Sequence, residues 1–290
     1  MKRISIITDS TSDLSKDLLE KHKIKVIPLH IHLGEKEYDD GVNIKPEDIY
    51  KWSNETKETP KTSALSLFEA KEAIEKALEE SEEVICFCVS ENMSSCYSVM
   101  NLAKIELEED NEDIVGRIHI INSMNLSTGI GLQILEAIDL ANEGLTGKEI
   151  VEKIVDMQSR VKASFVVDTL TFLHRGGRCS GTTALAGSAL KIHPSIHVIE
   201  GKMQPGKKYR GKMNKVLLNY LEDLKLDLAK ANKKNVFITH SGCEDEIVQA
   251  IKEELIALDY FENIYITTAG SVISSHCGPG TLGVLYVLNA

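Results

Sequence analysis

Short apolar runs and longer amphipathic stretches alternate through roughly the first 155 of the 290 residues. The runs at 4–7, 84–89 and 118–121 predict buried strands. Helices are predicted between them, and two helices begin with capping boxes, at 66–69 and 146–149. This alternation is typical of a doubly wound, mainly parallel sheet, in which ligands bind beyond the carboxyl ends of the strands.

Three stretches depart from this simple pattern. At 27–33 the apolar residues alternate as they do in one half-buried strand. The segment 53–66 is polar, and we expect irregular backbone there up to the helix cap at its end. Near the end of the chain, 274–283 reads SSHCGPGTLG. Its Gly-Pro-Gly turn predicts a loop whose backbone can approach a ligand closely.

The pattern changes after residue 160. Segments 192–200 and 202–210 predict two strands joined by a Glu-Gly turn, as in a β-hairpin, and helices and strands alternate after them. A helix rich in small residues is predicted at 182–190. We therefore predict an α/β protein of two domains, 1–158 and 159–290. The first domain holds a doubly wound, mainly parallel sheet, and the second holds a mixed sheet with helices packed on it.

The charge balance narrows the set of partners. Acidic residues outnumber basic ones by 44 to 33, which gives a net charge of −11. Such a chain repels polyphosphates, so nucleic acid is not expected as a partner. No apolar run approaches the ~20 residues of a membrane span, and the first ten residues do not form a secretory signal. The six cysteines show no CxxC pair and no metal-ligand spacing. These features predict a cytoplasmic protein with free thiols and no metal site.

Signatures of nucleotide, nicotinamide and zinc chemistry are absent from the sequence, which has no P-loop, GxGxxG, GxSxG or HExxH motif. What remains is a set of neutral donors: Thr62, Ser94, Ser95 and His276. Such donors suit a carboxylate whose apolar tail draws it out of bulk water. The same hydroxyls also suit helix caps, and a histidine beside Gly-Pro-Gly also suits a structural role. The residues alone leave both interpretations open.

Charged residues form three further candidate features. Asp9 and Asp13 follow the first strand, where carboxylates can form a metal or acyl-phosphate site, although a turn and a helix cap are favoured. Residues 175–178 (RGGR) form a cationic turn that suits an anion, an acidic partner or a helix end. Six lysines and arginines fall within 202–215. In an acidic chain this concentration favours an acidic docking surface or a transient contact with a membrane surface.

Five segments, taken in order, resemble the DegV family: 8–13 (TDSTSD), 61–63 (KTS), 90–97, 173–178 (LHRGGR) and 276–280 (HCGPG). The resemblance spans essentially the whole chain. It implies a two-domain α/β protein that holds one long-chain fatty acid between its domains. It also implies a binding subunit without catalysis of its own. In that family a separate ATP-binding subunit of a bacterial fatty acid kinase phosphorylates the carboxyl group, and the acyl phosphate enters phospholipid synthesis.

The same resemblance assigns the ligands of the fatty acid carboxylate. By motif they fall on Thr62, Ser94 and His276, with Ser63 and Ser95 as neighbouring donors. No cofactor is implied, and the bound fatty acid is the ligand.

Two arginines also match the family, and three positions depart from it. Arg178 and Arg210 match family arginines linked to the site or to docking of the kinase. The family usually has Gln-Pro where this chain has 64–65 (AL), Leu-Ser-Gly-Thr where it has 93–96 (MSSC), and lysine where it has Arg175. These changes keep the expected headgroup donors and bear on the choice of acyl chain and kinase.

Two other functions stay open on the sequence. In a serine/histidine acyl hydrolase or acyltransferase, His276 would activate Ser94 or Ser95 as the nucleophile, although no acid that would orient the histidine is evident. In a regulatory module, the same donors would bind another small carboxylate.

Overall fold

The computed structural model describes residues 3–179 and 192–290. The helix predicted at 182–190 lies outside the described residues. The strands are β1 (Ile4–Asp9), β2 (Lys25–Ile27), β3 (His30–Leu33), β4 (Lys36–Asp39), β5 (Lys61–Ser63), β6 (Glu83–Cys88), β7 (Ile118–Asn122), β8 (Val161–Val166), β9 (Ile192–Ile199), β10 (Lys202–Arg210), β11 (Ala231–Ser241), β12 (Asn263–Thr268) and β13 (Thr281–Leu288). The α-helices are α1 (Lys16–His22), α2 (Pro46–Thr56), α3 (Leu67–Glu80), α4 (Cys96–Asp110), α5 (Thr128–Asn142), α6 (Gly147–Met157), α7 (Thr171–Gly176), α8 (Met213–Leu228), α9 (Asp245–Ala257) and α10 (Ser271–Cys277).

A four-stranded parallel sheet forms the first half, in the order β2-β1-β6-β7. Strand β6 is buried along its whole length, as expected for a parallel strand that is covered by helices on both faces. The two predicted capping boxes are present at the starts of α3 and α6. The doubly wound parallel sheet predicted for this half is therefore confirmed.

A six-stranded mixed sheet forms the second half, in the order β10-β9-β8-β13-β11-β12. Strands β11 and β12 pair in parallel, and the other neighbours pair antiparallel, including the predicted hairpin of β9 and β10. All six strands follow residue 160. The predicted fold class is confirmed, whereas the domain boundary at 158–159 stays a prediction.

Helix α5 lies between the two sheets. It packs against β1 and β6 of the first sheet and against β8, β11 and β13 of the second. Every residue from Thr128 to Leu135 is buried, which is the pattern of a helix enclosed on all sides. None of the helices in the two described ranges is both long and apolar enough to cross a membrane.

The prediction of one strand over 27–33 is wrong. Its first residue belongs to β2 of the parallel sheet, and its later residues form β3 of a separate antiparallel sheet, ordered β4-β3-β5. Pro28 breaks the run because proline has no N–H to donate to a ladder. The next N–H, that of Leu29, donates to Ser10 Oγ at 3.1 Å. The small sheet bears on function because its strand β5 carries Thr62.

The prediction of irregular backbone over 53–66 is also wrong. Helix α2 continues through Thr56, and Lys61–Ser63 form β5. In that strand Thr62 lies opposite Ile31 of β3. Lys-Thr-Ser has no apolar alternation of its own, so its strand conformation comes from pairing with a neighbour and not from local preference.

The segment 274–283 is not a single loop. Its first residues complete helix α10, which ends at Cys277 and is capped by Gly278 with φ of +75°. Glycine adopts this backbone conformation without a Cβ clash, and Pro279 cannot continue the helix. A seven-residue helix is too short to show a clear 3.6-residue repeat. His276 therefore lies in the last turn of a helix.

Candidate functional site

A cavity of about 270 Å³ lies where the two halves meet. One water molecule needs only about 10–15 Å³ of such space, so this cavity is far larger than a packing defect. Most of its wall is apolar, and both halves contribute to it. The first half contributes Leu29, Val89, Met93 and Leu126, and the second contributes Phe165, Leu173, Met203, Val272, Ile273 and Leu285.

The polar part of the wall favours an anion. Among the described residues that line the cavity are hydroxyls, two histidines and Arg178, but no aspartate or glutamate. The chain as a whole carries a net charge of −11. An anion that enters the cavity therefore meets no negatively charged side chain among these residues, so close-range repulsion is weaker there than at the acidic surface.

Thr62 and His276 meet across the two halves at the cavity wall. Thr62 Oγ1 lies 2.9 Å from His276 Nε2, and the two residues are 214 positions apart in sequence. Strand β5 of the first half supplies the hydroxyl, and helix α10 of the second half supplies the imidazole. One hydrogen bond thus joins two of the residues that the sequence predicts as ligands of the carboxylate.

The imidazole of His276 is neutral at pH 7. Burial, with a smaller contribution from the nearby positive charge of Arg178, lowers the pKa of His276 to about 4. The Nδ1 atom of the ring is buried and has no hydrogen-bond partner in the described part of the chain. A neutral ring carries one N–H, and the bond to Thr62 uses the Nε2 side of the ring.

Glycines allow α7 and α10 to pack closely. A Cβ atom at Gly176 would lie 2.4 Å from His276 Nδ1, and a Cβ atom at Gly278 would lie 2.4 Å from the ring of Phe172. Real Cβ atoms do not approach other atoms so closely. The glycines of the RGGR and HCGPG segments are therefore needed because the two segments pack against each other.

Ser94 and Ser95 lie on the cavity wall at the start of α4. Ser94 Oγ accepts the N–H of Cys96 at 3.3 Å, so Ser94 also acts as a helix cap. The same Oγ atom also lies 3.1 Å from Cys96 Sγ, and either atom can donate in this contact. When the thiol donates, the O–H of Ser94 stays available to a ligand. Ser95 occupies the N-cap position without a side-chain cap bond and is exposed.

Ser63 also lines the cavity. Its hydroxyl, however, lies 3.0 Å from His32 Nε2. Successive side chains of a strand point to opposite faces, and in β5 the Thr62 side chain is the one that bonds to His276. The hydroxyl of Ser63 is thus already engaged with β3.

The structure brings one of the two predicted arginines to the cavity. Arg178 lines the wall and is an exposed residue, and its Nη1 donates to the carbonyl of Gly176 at 2.8 Å. Arg210 is the exposed last residue of β10 and is not among the described residues of the wall.

Asp9 and Asp13 accept backbone hydrogen bonds. Asp9 caps the turn after β1 by accepting the N–H of Thr11 at 3.0 Å, and it also accepts the N–H of Val89 at 2.8 Å. Asp13 accepts the N–H of Gly270 at 2.8 Å. Within 3–179 and 192–290, no group of three or more His, Cys, Asp or Glu side chains is placed to hold a metal ion. The turn and cap interpretation of these carboxylates is the one that the contacts favour.

Sequence reasoning missed the contribution of β11. Thr239, His240 and Ser241 line the cavity at the carboxyl end of that strand. Ser241 Oγ lies 2.9 Å from Ser274 Oγ of α10, and it also bonds to the hydroxyl of Tyr50 in α2. The signal in the sequence is the polar run 239–241 directly after the apolar residues 236–238, since ligands bind beyond the carboxyl ends of parallel strands such as β11 and β12.

The family model named DegV, described as an uncharacterised protein family, matches residues 3–289. The chain belongs to the DegV family. A DegV domain-containing protein of Clostridium perfringens is 35% identical over 99% of this chain and 99% of its own length. The resemblance predicted from the sequence is therefore confirmed.

Solved structures of DegV-family proteins share the fold. A fatty-acid-binding member from Thermus thermophilus has a TM-score of 0.89 at 29% identity, covering 99% of this chain and 100% of its own. DegV of Bacillus subtilis, a fatty acid binding protein, has a TM-score of 0.83 at 27% identity, with 100% of both chains covered.

Proposed function

We propose that this DegV-family protein binds one long-chain fatty acid in the cavity and presents its carboxyl group to a separate ATP-binding kinase subunit. The acyl phosphate formed there would feed phospholipid synthesis. Thr62, Ser94 and His276 hold the carboxylate, the apolar wall takes the acyl chain, and Arg178 supplies positive charge at the cavity wall. The T. thermophilus and B. subtilis relatives bind fatty acids, which supports the same class of ligand here.

The hydrogen bond between Thr62 and His276 carries this proposal. A neutral imidazole protonated on Nε2 donates to Thr62 Oγ1, which leaves the Thr62 O–H free to donate to a ligand. Ser94 adds a second hydroxyl, and Ser63 and Ser95 flank these two donors. Hydrogen bonds to a charged acceptor are about twice as strong as neutral ones. Several of them offset the cost of moving a carboxylate out of water.

An acyl hydrolase or acyltransferase fits the geometry less well. A serine nucleophile needs a base within hydrogen-bond reach and a third group that orients the base. Here His276 bonds to Thr62 and not to Ser94 or Ser95, and within the described residues its Nδ1 atom has no partner. A regulatory module for a small carboxylate would leave most of the apolar wall unfilled.

Mass spectrometry of an organic-solvent extract of the purified protein tests the ligand class. We expect about one long-chain fatty acid per protein molecule, because an apolar cavity of this size retains an apolar tail. A small water-soluble carboxylate would support the regulatory alternative, and an acyl group attached to Ser94 or Ser95 would support the hydrolase. An extract without fatty acid, together with no binding of added acid, would refute the proposal.

Presentation to a kinase is supported by a basic surface. Lys202, Lys208, Arg210, Lys212 and Lys215 are all exposed along β10 and the start of α8. Such a patch on an acidic protein suits an acidic face of a partner protein and also suits brief contact with an anionic membrane surface. Because this chain has no nucleotide-binding motif, the partner must supply the ATP site.

Charge reversal in the basic surface tests docking of the kinase separately from binding of the fatty acid. We expect Arg210→Glu with Lys212→Glu to lower kinase-dependent formation of acyl phosphate about tenfold, because rim charges govern association. Fatty acid affinity should stay within about twofold, since neither side chain is among the described wall residues. Lys16→Glu with Lys21→Glu, an equal charge change at two exposed residues of α1, is the control. If acyl phosphate forms at the wild-type rate but the variant no longer binds anionic phospholipid vesicles, the basic surface contacts membranes, and a role in kinase docking is contradicted.

A further inference from the structure

Helix α10 belongs to the second half, yet both of its ends are bound to the first. At its last turn His276 meets Thr62. At its first turn the N–H of Gly270 donates to Asp13 at 2.8 Å, and the N–H of Ser271 donates to Asp40 at 2.6 Å. The two carboxylates thus accept the first two amides of the helix that carries the imidazole.

The carboxylates close tightly around the start of α10. A Cβ atom at Gly270 would lie 3.0 Å from Asp40 Oδ2 and 3.3 Å from Asp13 Oδ1. Gly270 has φ of −63°, a value that alanine also adopts. A Cβ atom at position 270 would therefore press against the two carboxylates, whereas the backbone conformation alone does not call for glycine.

These carboxylates are costly to bury. Asp13 is 6% exposed and Asp40 is 4% exposed, and in the described part of the chain neither forms an ion pair with Lys, Arg or His. Burial, with smaller contributions from the charges of Asp40 and Asp9, raises the pKa of Asp13 to about 8. Retaining such groups between the two halves indicates a role beyond general stability.

We propose that Asp13 and Asp40 are positioning residues of the fatty acid site. They hold the first turn of α10 against the first half, and the helix transmits this placement to His276. His276 lies six positions after Gly270, or about 9 Å along a helix of fewer than two turns, and so short a helix carries a displacement of its first turn directly to the imidazole. The inference rests on the proposed function, because retention of the carboxylate is what the placement of His276 controls.

The test compares alanine with asparagine at both positions. Asp13→Ala or Asp40→Ala removes the acceptor of a buried N–H, whereas Asp13→Asn or Asp40→Asn keeps a carbonyl oxygen there. We expect the alanine variants to release bound oleate about tenfold faster, within the range for a buried amide that loses its acceptor. The asparagine variants should release it within about twofold of the wild-type rate.

A second measurement does not depend on a ligand. The imidazole resonances of His276 in the protein stripped of lipid report its tautomer and its bond to Thr62. We expect these resonances to shift in both alanine variants and to return to wild-type positions in the asparagine variants. In Gly270→Ala the added Cβ atom would press against the same two carboxylates, so we expect the His276 resonances to shift as they do in the alanine variants.

Glu83→Ala is the matched control for the alanine variants. Glu83 is also a buried carboxylate at the start of a helix, where it accepts the N–H of Gly147 at 2.9 Å, and it is remote from the cavity. The control should change stability without changing oleate release or the His276 resonances.

Wild-type release rates together with unshifted His276 resonances in the alanine variants would overturn the positioning role and leave fatty acid binding intact. If the alanine variants fail to fold, unshifted resonances in Gly270→Ala would overturn it equally. An extract of the wild-type protein without fatty acid, together with failure to bind added oleate, would refute the proposed function, and the resonances would still decide the placement of His276.

Discussion

Replacement of His276 by alanine is expected to weaken fatty acid binding about 5- to 150-fold. The variant removes the Nε2 partner of Thr62, so the Thr62 hydroxyl loses the bond that turns its proton toward the ligand. Leaving a buried polar group unsatisfied costs about 1–3 kcal/mol, which corresponds to that range in the dissociation constant. Displacement of a fluorescent fatty acid from the variant measures the effect.

Partner variants show whether the loss comes from the headgroup. Thr62→Val keeps the volume of the side chain and removes its hydroxyl, so its effect should not add to that of His276→Ala, because both changes break one bond. Ser94→Ala should weaken binding independently.

His119→Ala is the control for loss of a histidine. His119 bonds to Glu83 at 2.9 Å and does not line the cavity. Unchanged affinity in both His276→Ala and Ser94→Ala would contradict the assignment of the carboxylate site.

Gly176→Ala is expected to lower affinity by at least about tenfold, although alanine is the better helix former by about 1 kcal/mol. The added Cβ atom would lie 2.4 Å from His276 Nδ1. Overpacking of this kind costs about 1–3 kcal/mol, so the clash outweighs the gain in helix propensity. The imidazole relieves the clash by moving away from α7, which breaks its bond to Thr62. Affinity and the free energy of unfolding, measured together, separate the two effects.

A double-mutant cycle tests the cause of that loss. The three atoms nearest to a Cβ at position 176 all belong to the His276 ring. Once the ring is absent, the added methyl group has space, and Gly176→Ala should have no further effect on affinity in a His276→Ala background. Additive losses in the double variant would show that Gly176 acts through another contact.

Local sequence features predicted most of the secondary structure. The capping boxes at Ser66 and Thr146 are present as predicted, because a cap is formed within four consecutive residues. The hairpin of β9 and β10 follows from one Glu-Gly turn, at which both residues have positive φ. Apolar runs identified the buried strands of the parallel sheet, since burial on both faces requires continuous apolar residues.

Short elements with non-local partners were not predicted. Strand β5 is polar, and its conformation depends on pairing with β3, about thirty positions away. Pro28 divided an alternating run between two sheets, which periodicity alone does not show. Helix α10 is shorter than two full turns and bonds at both ends to the other half of the chain.

The sequence by itself determined the α/β class, the family and the residue types available for a carboxylate: hydroxyls, one imidazole and an arginine turn. The tertiary structure decided how these residues are arranged. It joined Thr62 to His276, left Arg210 on an outer strand, engaged the hydroxyl of Ser63 with His32 and placed Asp13 and Asp40 against the first turn of α10. The physical reason is separation along the chain. Caps and apolar runs involve residues a few positions apart, whereas the site depends on contacts between residues more than 200 positions apart. Such contacts exist only after the two sheets have packed around α5.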